Sequence, residues 1–180
     1  YFGVLLKMTT LKELTHHNHQ IAEQHPFTKL LLSGKITPGI YASYLANQLH
    51  QYSVLEFKAQ HLLEQLPGIQ RTRLILEDLL ELDEPVILFK TTSDYFDRVL
   101  SLNDHQLWAH IYTKHMGDLY GGQLIKTKVP GSGQMYKFDN RQELIQTLRT
   151  KLDTTMAQEA NWCFQSTINL FDKLADEYNL

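Results

Sequence analysis

The sequence predicts an all-α, single-domain fold, on three observations. Apolar residues recur at three- and four-residue intervals over almost all of the 180 residues, which is the repeat of a one-sided helix. Proline, glycine and an Asn-Asp pair cut that repeat into seven or eight segments of helical length. No stretch keeps the period-two alternation of a strand. Tyr136-Lys-Phe138 is the best strand-like fragment and is too short to count.

The elements follow in order. Thr9 or Thr10 caps a first helix, with Glu13 placed for a capping box from Thr10, and the helix runs to about Gln24, ahead of Pro26. Phe27 to Ser33 forms a short second helix closed by Gly34. Thr37-Pro38 supplies the cap and first position of a long helix, in which Ile40, Tyr44, Leu45, Leu49, Tyr52, Leu55, Leu62 and Leu63 keep helical spacing up to Glu64. Pro67-Gly68 breaks it. Ile69 to Leu82 and Thr92 to Leu100 are further helices, separated by a less regular stretch from Pro85, and Asn103-Asp104 marks a turn. Leu107 to Lys126 is a helix interrupted by Gly117, Gly121 and Gly122. A glycine inside a helix costs about 1 kcal/mol against alanine, so three within six positions imply a bend or the close approach of a ligand. Pro130-Gly-Ser-Gly133 is the clearest loop, and Arg141 to Thr155 and Met156 to Tyr178 close the chain as helices.

Composition narrows the function. A net charge of -3 gives no electrostatic case for nucleic acid. The one cysteine, Cys163, excludes an internal disulfide framework and fits a reducing, cytoplasmic setting. No apolar run approaches the ~18 residues of a membrane span, so no membrane partner is expected. Tyr1 to Lys7 precede a start-like Met8-Thr-Thr and are read as an added leader or disordered terminus, with the domain over 8–180.

Four groups of residues could carry chemistry. His16-His17-Asn18-His19 is followed by Glu23, and His19 and Glu23 lie four apart on one helix face. That pair reads as an axial imidazole with the carboxylate that orients it, or as a solvated polar face. A three-histidine zinc site lacks a further ligand pair at suitable spacing. Asp118 sits between Gly117 and Gly121, either beside a flat ligand or as a kink aspartate satisfying backbone N–H groups. Tyr112, Lys114 and His115 cannot all face one ligand from a single helix. Arg149-Thr-Lys151 is a basic face. No nucleophile elbow, phosphate-binding loop or zinc protease motif is present, which argues against hydrolases, kinases and pyridine-nucleotide enzymes.

Two of these segments together resemble the haem oxygenase family. His19-Gln-Ile-Ala-Glu23 is similar to its proximal-histidine stretch. Ala109-His110 and Tyr112-Thr-Lys-His-Met-Gly-Asp-Leu-Tyr-Gly-Gly-Gln123 are similar to its distal signature, which reads tyrosine-threonine-arginine-tyrosine-leucine-glycine-aspartate-leucine-serine-glycine-glycine-glutamine. Supporting matches include Pro26-Phe27, Gly34, His50 to Glu56, Leu76-Glu-Asp-Leu79, Glu159-Ala160, Phe164 and Leu170-Phe171, so the likeness covers about Leu11 to Leu174. The nearest resemblance is to bacterial, cyanobacterial or phage-borne members without a membrane anchor.

The resemblance implies an enzyme that opens haem b, at once substrate and cofactor, to biliverdin, CO and ferrous iron, using O₂ and external electrons. It implies His19 as the iron ligand and Glu23 as its partner, Gly117 and Gly121 as the flexible distal wall, and Asp118 as organiser of proton delivery. Tyr52, Tyr95, Lys114 and Thr167 fall where the family places other members of the distal network. Lys12, Tyr112, Arg149 and Lys151 fall where it meets the haem carboxylates, which favour a cationic rim. No bound flavin or nicotinamide is expected. Reduced ferredoxin is the implied donor, docking on basic residues such as Lys12, Lys126, Lys128 and Arg149 of a monomer. The product would pass to a bilin reductase in phycobilin synthesis or serve iron acquisition, and the family default is attack at the alpha-meso carbon. Departures are Lys114 for arginine, His115 for tyrosine, Met116 for leucine, Tyr120 for serine and His16 for a frequent lysine. Tyr120 is expected to narrow haem access or add a hydrogen bond. Two rivals stand beside this reading. One is a non-catalytic haem-binding or haem-delivery protein on the same scaffold. The other is the thiamin-degrading and cofactor-maturation enzymes of similar helical architecture, which lack the paired motifs.

Overall fold

A computed structural model describes residues 9–180; Met8 and the leader expected over Tyr1 to Lys7 lie outside the described residues. All regular structure among those residues is helical. Helix α1 (Leu11–Gln24) opens with the expected capping box: Thr10 Oγ1 accepts from the Glu13 N–H at 3.2 Å and Glu13 Oε2 accepts from the Thr10 N–H at 2.9 Å. Pro26 ends α1 and starts α2 (Pro26–Ser33), which closes on Gly34 at φ +73°. Thr37 and Pro38 start α3 (Pro38–Lys58) as expected.

Three expected helices break earlier than their periodicity implies. Helix α3 stops at Lys58, and the chain re-forms after Ala59 as the single turn α4 (Gln60–Leu63). Burial of Leu62, Leu63 and Leu66 in one apolar cluster bends the chain where the apolar spacing alone continues. Helix α5 (Thr72–Leu82) starts later than Ile69, because Arg71 is spent on a clasp. Its guanidinium donates to the carbonyls of Gly68 (2.5 Å), Ile69 (2.9 Å), Met135 (3.2 Å) and Lys137 (2.6 Å). After α6 (Lys90–Leu100), helix α7 (Asp104–Tyr120) ends at Gly121, and one further turn, α8 (Gly122–Ile125), follows. A 3-10 turn over Gln134–Tyr136 absorbs the start of the strand-like fragment. Helix α9 (Arg141–Arg149) ends six residues short of Thr155, where Asp153 Oδ1 captures the Thr155 N–H at 2.8 Å and favours a local turn over helix. Helix α10 (Ala157–Tyr178) closes the chain. The count is therefore ten α-helices and two 3-10 turns among the described residues, with the two single-turn pieces accounting for much of the excess.

Helix α10 is the floor of the arrangement: α1 and α7 both pack along it. Helix α3 packs against α5 and α6. One apolar cluster joins α3, α6, α7 and α9 to Cys163, and a second joins α2, α3 and α5 to Tyr136 and α10. No helix among the described residues is long and apolar enough to cross a membrane.

Gly122 marks a close approach. A Cβ built there would lie 2.5 Å from Cδ1 of Tyr136, a ring that is itself 1% exposed. Gly122→Ala is therefore expected to cost about 1–3 kcal/mol, the range for overpacking a filled core, and a denaturant titration checks it.

Candidate functional site

Helix α7 presents two different faces. One carries Asp118 into the interior, where it is 7% exposed. Tyr52, reaching from α3, donates its Oη–H to Asp118 Oδ2. Burial pushes the Asp118 carboxyl up to about 6, while Tyr52, Lys114 and Arg71 pull it down. Burial and the Asp118 charge push the Tyr52 phenol well above its ordinary value, so it remains a donor. The structure thus brings together the two residues that sequence alone left 66 positions apart.

The other predicted network members divide. Lys114 is buried; its Nζ donates to Gln51 Oε1 at 2.6 Å and Gln48 Oε1 at 3.2 Å. It also lies 5.0 Å from the ring centroids of both Tyr52 and Tyr95, so it spans the two tyrosines. Burial lowers its pKa. Tyr95 Oη meets His110 Nδ1 at 2.9 Å. Thr167 is turned back on its own helix, donating to the Cys163 carbonyl at 3.2 Å. His115 donates from Nδ1 to the Ile111 carbonyl at 3.0 Å, and burial drops its pKa to about 3, so it is a neutral ring edge-on to Tyr52 at 5.2 Å.

The outer face of α7 carries Gly117, which is exposed, and a Cβ placed there would meet nothing within 4 Å. A bare stretch of backbone is therefore open to a flat ligand. On α1, the His19 side chain is 55% exposed, with Glu23 Oε2 3.8 Å from its Nδ1 and the Phe164 ring edge-on at 5.8 Å. Thr15, one turn before His19, approaches Tyr112 Oη of α7 at 3.5 Å, so this face of α1 adjoins α7. Lys12 is exposed on α1. Arg149 donates from Nη2 to Tyr120 Oη at 2.7 Å. Lys151 donates to Gln65 Oε1 at 2.5 Å and sits 5.9 Å from the Trp108 ring centroid. Gln123 ties down the backbone of the turn that follows Gly121, donating to the Asp118 carbonyl at 3.3 Å and the Tyr136 carbonyl at 2.9 Å.

One cluster carried no role at the sequence level. His110 Nε2 meets Glu159 Oε1 at 2.8 Å, and Arg98 pairs with the same carboxylate at 3.1 Å (Nε to Oε1) and 2.5 Å (Nη2 to Oε2). Burial opposes these charges. At His110, Cys163 and Glu159 outweigh it and raise the ring to about 9. At Glu159, His110 and Arg98 outweigh it and hold the carboxyl at about 2. The Ala109-His110 and Glu159-Ala160 matches were the available signal, but a separation of 49 positions hides the pairing. Removing one partner of a buried ion pair costs about 3–5 kcal/mol, so Glu159→Ala is expected to lose that much at pH 6. Glu159 contributes fully above 4.5 and loses its contribution as pH falls through about 2. His110 contributes fully below 6.5 and loses its contribution as pH rises through about 9. The stability gap between wild type and variant should therefore peak between those limits in denaturant titrations run across pH.

The arrangement has known counterparts. The family model described as Heme oxygenase matches residues 7–173. The chain belongs to the haem oxygenase family. The haem oxygenase of Guillardia theta is 27% identical over 203 residues, covering 93% of this chain and 86% of the relative. Haem oxygenase 2 of Rattus norvegicus is 29% identical; the match covers 91% of this chain and the chain spans 64% of that relative's length. A solved haem oxygenase-2 from Synechocystis, in complex with haem and NO, superimposes with a TM-score of 0.79 at 26% identity, covering 92% of this chain and 84% of that one. Haem oxygenase-1 from Synechocystis, at 23% identity and a TM-score of 0.80 over 93% of this chain and 91% of that one, shares the fold. The family's reaction is oxidative opening of haem to biliverdin, and haem oxygenase is the enzyme class of this chain. Its residues fit that substrate: a half-exposed imidazole on α1, a glycine wall on α7 that no side chain covers, and a buried acid behind the wall.

Proposed function

We propose that the chain binds haem between α1 and α7, with His19 on the iron and Gly117 and Gly121 against the opposite face. The bound haem brings the iron at which O₂ is used. Glu23, four residues on, accepts a ring N–H of His19 and fixes its orientation. Asp118 holds and passes protons on the glycine side. A carboxyl raised to about 6 is matched to proton transfer near neutral pH, and Tyr52 keeps it oriented by donating to Oδ2. Lys114, Tyr95 and His110 continue the buried polar network behind it; Thr167 borders it. Lys12, Tyr112, Arg149 and Lys151 form the rim that meets the haem carboxylates, where arginine offers the planar fork that suits a carboxylate.

Electrons come from a separate donor, and reduced ferredoxin docking near the exposed Lys12 and Arg149 is the proposed source. The enzyme acts as a cytoplasmic monomer that hands biliverdin to a bilin reductase. The observation that carries this reading is the buried Asp118–Tyr52 pair set behind an open glycine face. Haemin titrated into the protein should bind one to one with the absorption of a histidine-ligated ferric haem, and reduced ferredoxin with O₂ should then consume it. A bound haem that survives reductant and O₂ would favour the haem-delivery rival, and absence of haem binding would refute the reading.

A further inference from the structure

Gly117, Tyr120 and Gly121 occupy one face of α7 and its end, since residues three and four apart are neighbours on a helix. Tyr120 is 44% exposed on that face. Two arginines of α9 meet it. Arg149 donates from Nη2 to Tyr120 Oη at 2.7 Å, and the Arg141 guanidinium lies 5.4 Å from the Tyr120 ring centroid. Arg141 also donates from Nε to the carbonyl of Leu119. The tyrosine therefore lies along α9 with that helix's first and last residues upon it. A serine here would be too short to span that distance.

Arg149 is exposed, and a long exposed side chain loses much rotamer freedom when it captures a ligand. One already held in place loses less. We infer that Tyr120 is a positioning residue that holds the Arg149 guanidinium at the edge of the Gly117 face, pre-set to receive one carboxylate of haem. A guanidinium has five N–H donors, so the bond to Tyr120 leaves others free to donate to a carboxylate. Fixing one carboxylate fixes the in-plane rotation of a flat substrate, and hence which of its edges lies before Asp118. This inference rests on the haem reading above.

The test is a double-mutant cycle of Tyr120→Phe and Arg149→Ala, read as haem dissociation constant and as the ratio of biliverdin isomers from single turnover. Tyr120→Phe removes Oη and leaves the ring. It should weaken haem binding about fivefold, the equivalent of one hydrogen bond, and broaden the isomer ratio. In the Arg149→Ala background the same change should have little further effect on either readout, because the two act as one unit. Arg149→Lys keeps the charge without the fork and should broaden the isomer ratio with Tyr120 intact. The inference is overturned if Tyr120→Phe acts equally in both backgrounds, or if it leaves affinity and isomer ratio unchanged in a protein that opens haem. A wild-type protein that binds no haem would instead overturn the haem reading, and this inference with it.

Discussion

A His19→Ala protein loses the histidine-ligated spectrum of bound ferric haem, and biliverdin formation falls by more than about 100-fold. The expectation follows from what surrounds the ring. His19 stands half-exposed on α1, with Glu23 Oε2 3.8 Å from Nδ1. His16 and His17 also lie on α1, but neither is four residues before Glu23. Removing an iron ligand costs more than removing a residue that orients it, a change that typically costs about 10–100-fold; Glu23→Ala should therefore fall within that smaller range. The substitution touches an exposed side chain, so the fold should be unaffected. Absorption spectra and turnover, measured on the same preparation, check both halves. A variant that keeps the wild-type spectrum would move the ligand to another histidine.

The second large effect is at Asp118, where activity and stability should move in opposite directions. Asp118→Asn keeps an acceptor for Tyr52 but cannot hold and release a proton, so biliverdin yield should fall by about 100-fold or more, within the range for general acid–base groups. The folded carboxyl titrates at about 6 against 3.8 for the free group. Because the folded value is raised, the folded state binds more protons than the unfolded one between those pH values, and stability falls as pH rises through them. The neutral asparagine escapes that loss. Asp118→Asn should therefore be more stable than wild type at pH 7 by up to about 3 kcal/mol, a shift of roughly two pK units. The difference should vanish below pH 4. Denaturant titrations at pH 4 and pH 7, paired with product yield, test the two claims together. A variant that is no more stable at neutral pH would mean that Asp118 is not an acid held against its burial.

Local chemistry was the most legible part of this chain. The Thr10–Glu13 capping box, the Thr37-Pro38 start and the Gly34 stop all involve groups within a few residues of one another, and each took its expected place. The breaks at Ala59 and Arg149 were not legible, because the apolar spacing continues through both. They are set by where Leu62, Leu63 and Leu66 must be buried and by the Asp153 turn. The late start of α5 depends on carbonyls near Gly68 and after Gly133, gathered by the one guanidinium of Arg71.

The candidate site shows the same division. Glycine clustering around Asp118 pointed to a backbone wall, and Gly117 is indeed uncovered. The partners of Asp118 could come only from resemblance, since Tyr52 is on another helix. Lys114 was placed in the network by its position, but its contacts with Gln48 and Gln51 had no sequence signal. The His110–Glu159–Arg98 cluster joins three helices, and periodicity within one helix carries no information about such a meeting. Tyr120 is the instructive case. It read as a departure from a family pattern, and its bond to Arg149 gives that departure a physical use.

The most direct test of the account is a single turnover on stoichiometric haem, with reduced ferredoxin and O₂, followed by identification of the products. Wild-type protein should yield biliverdin and CO in equal amounts, and Asp118→Asn should bind haem equally well while yielding little of either. Biliverdin formed at the wild-type rate by Asp118→Asn would contradict the role given to the buried acid, and haem left intact by the wild-type protein would contradict the reaction itself.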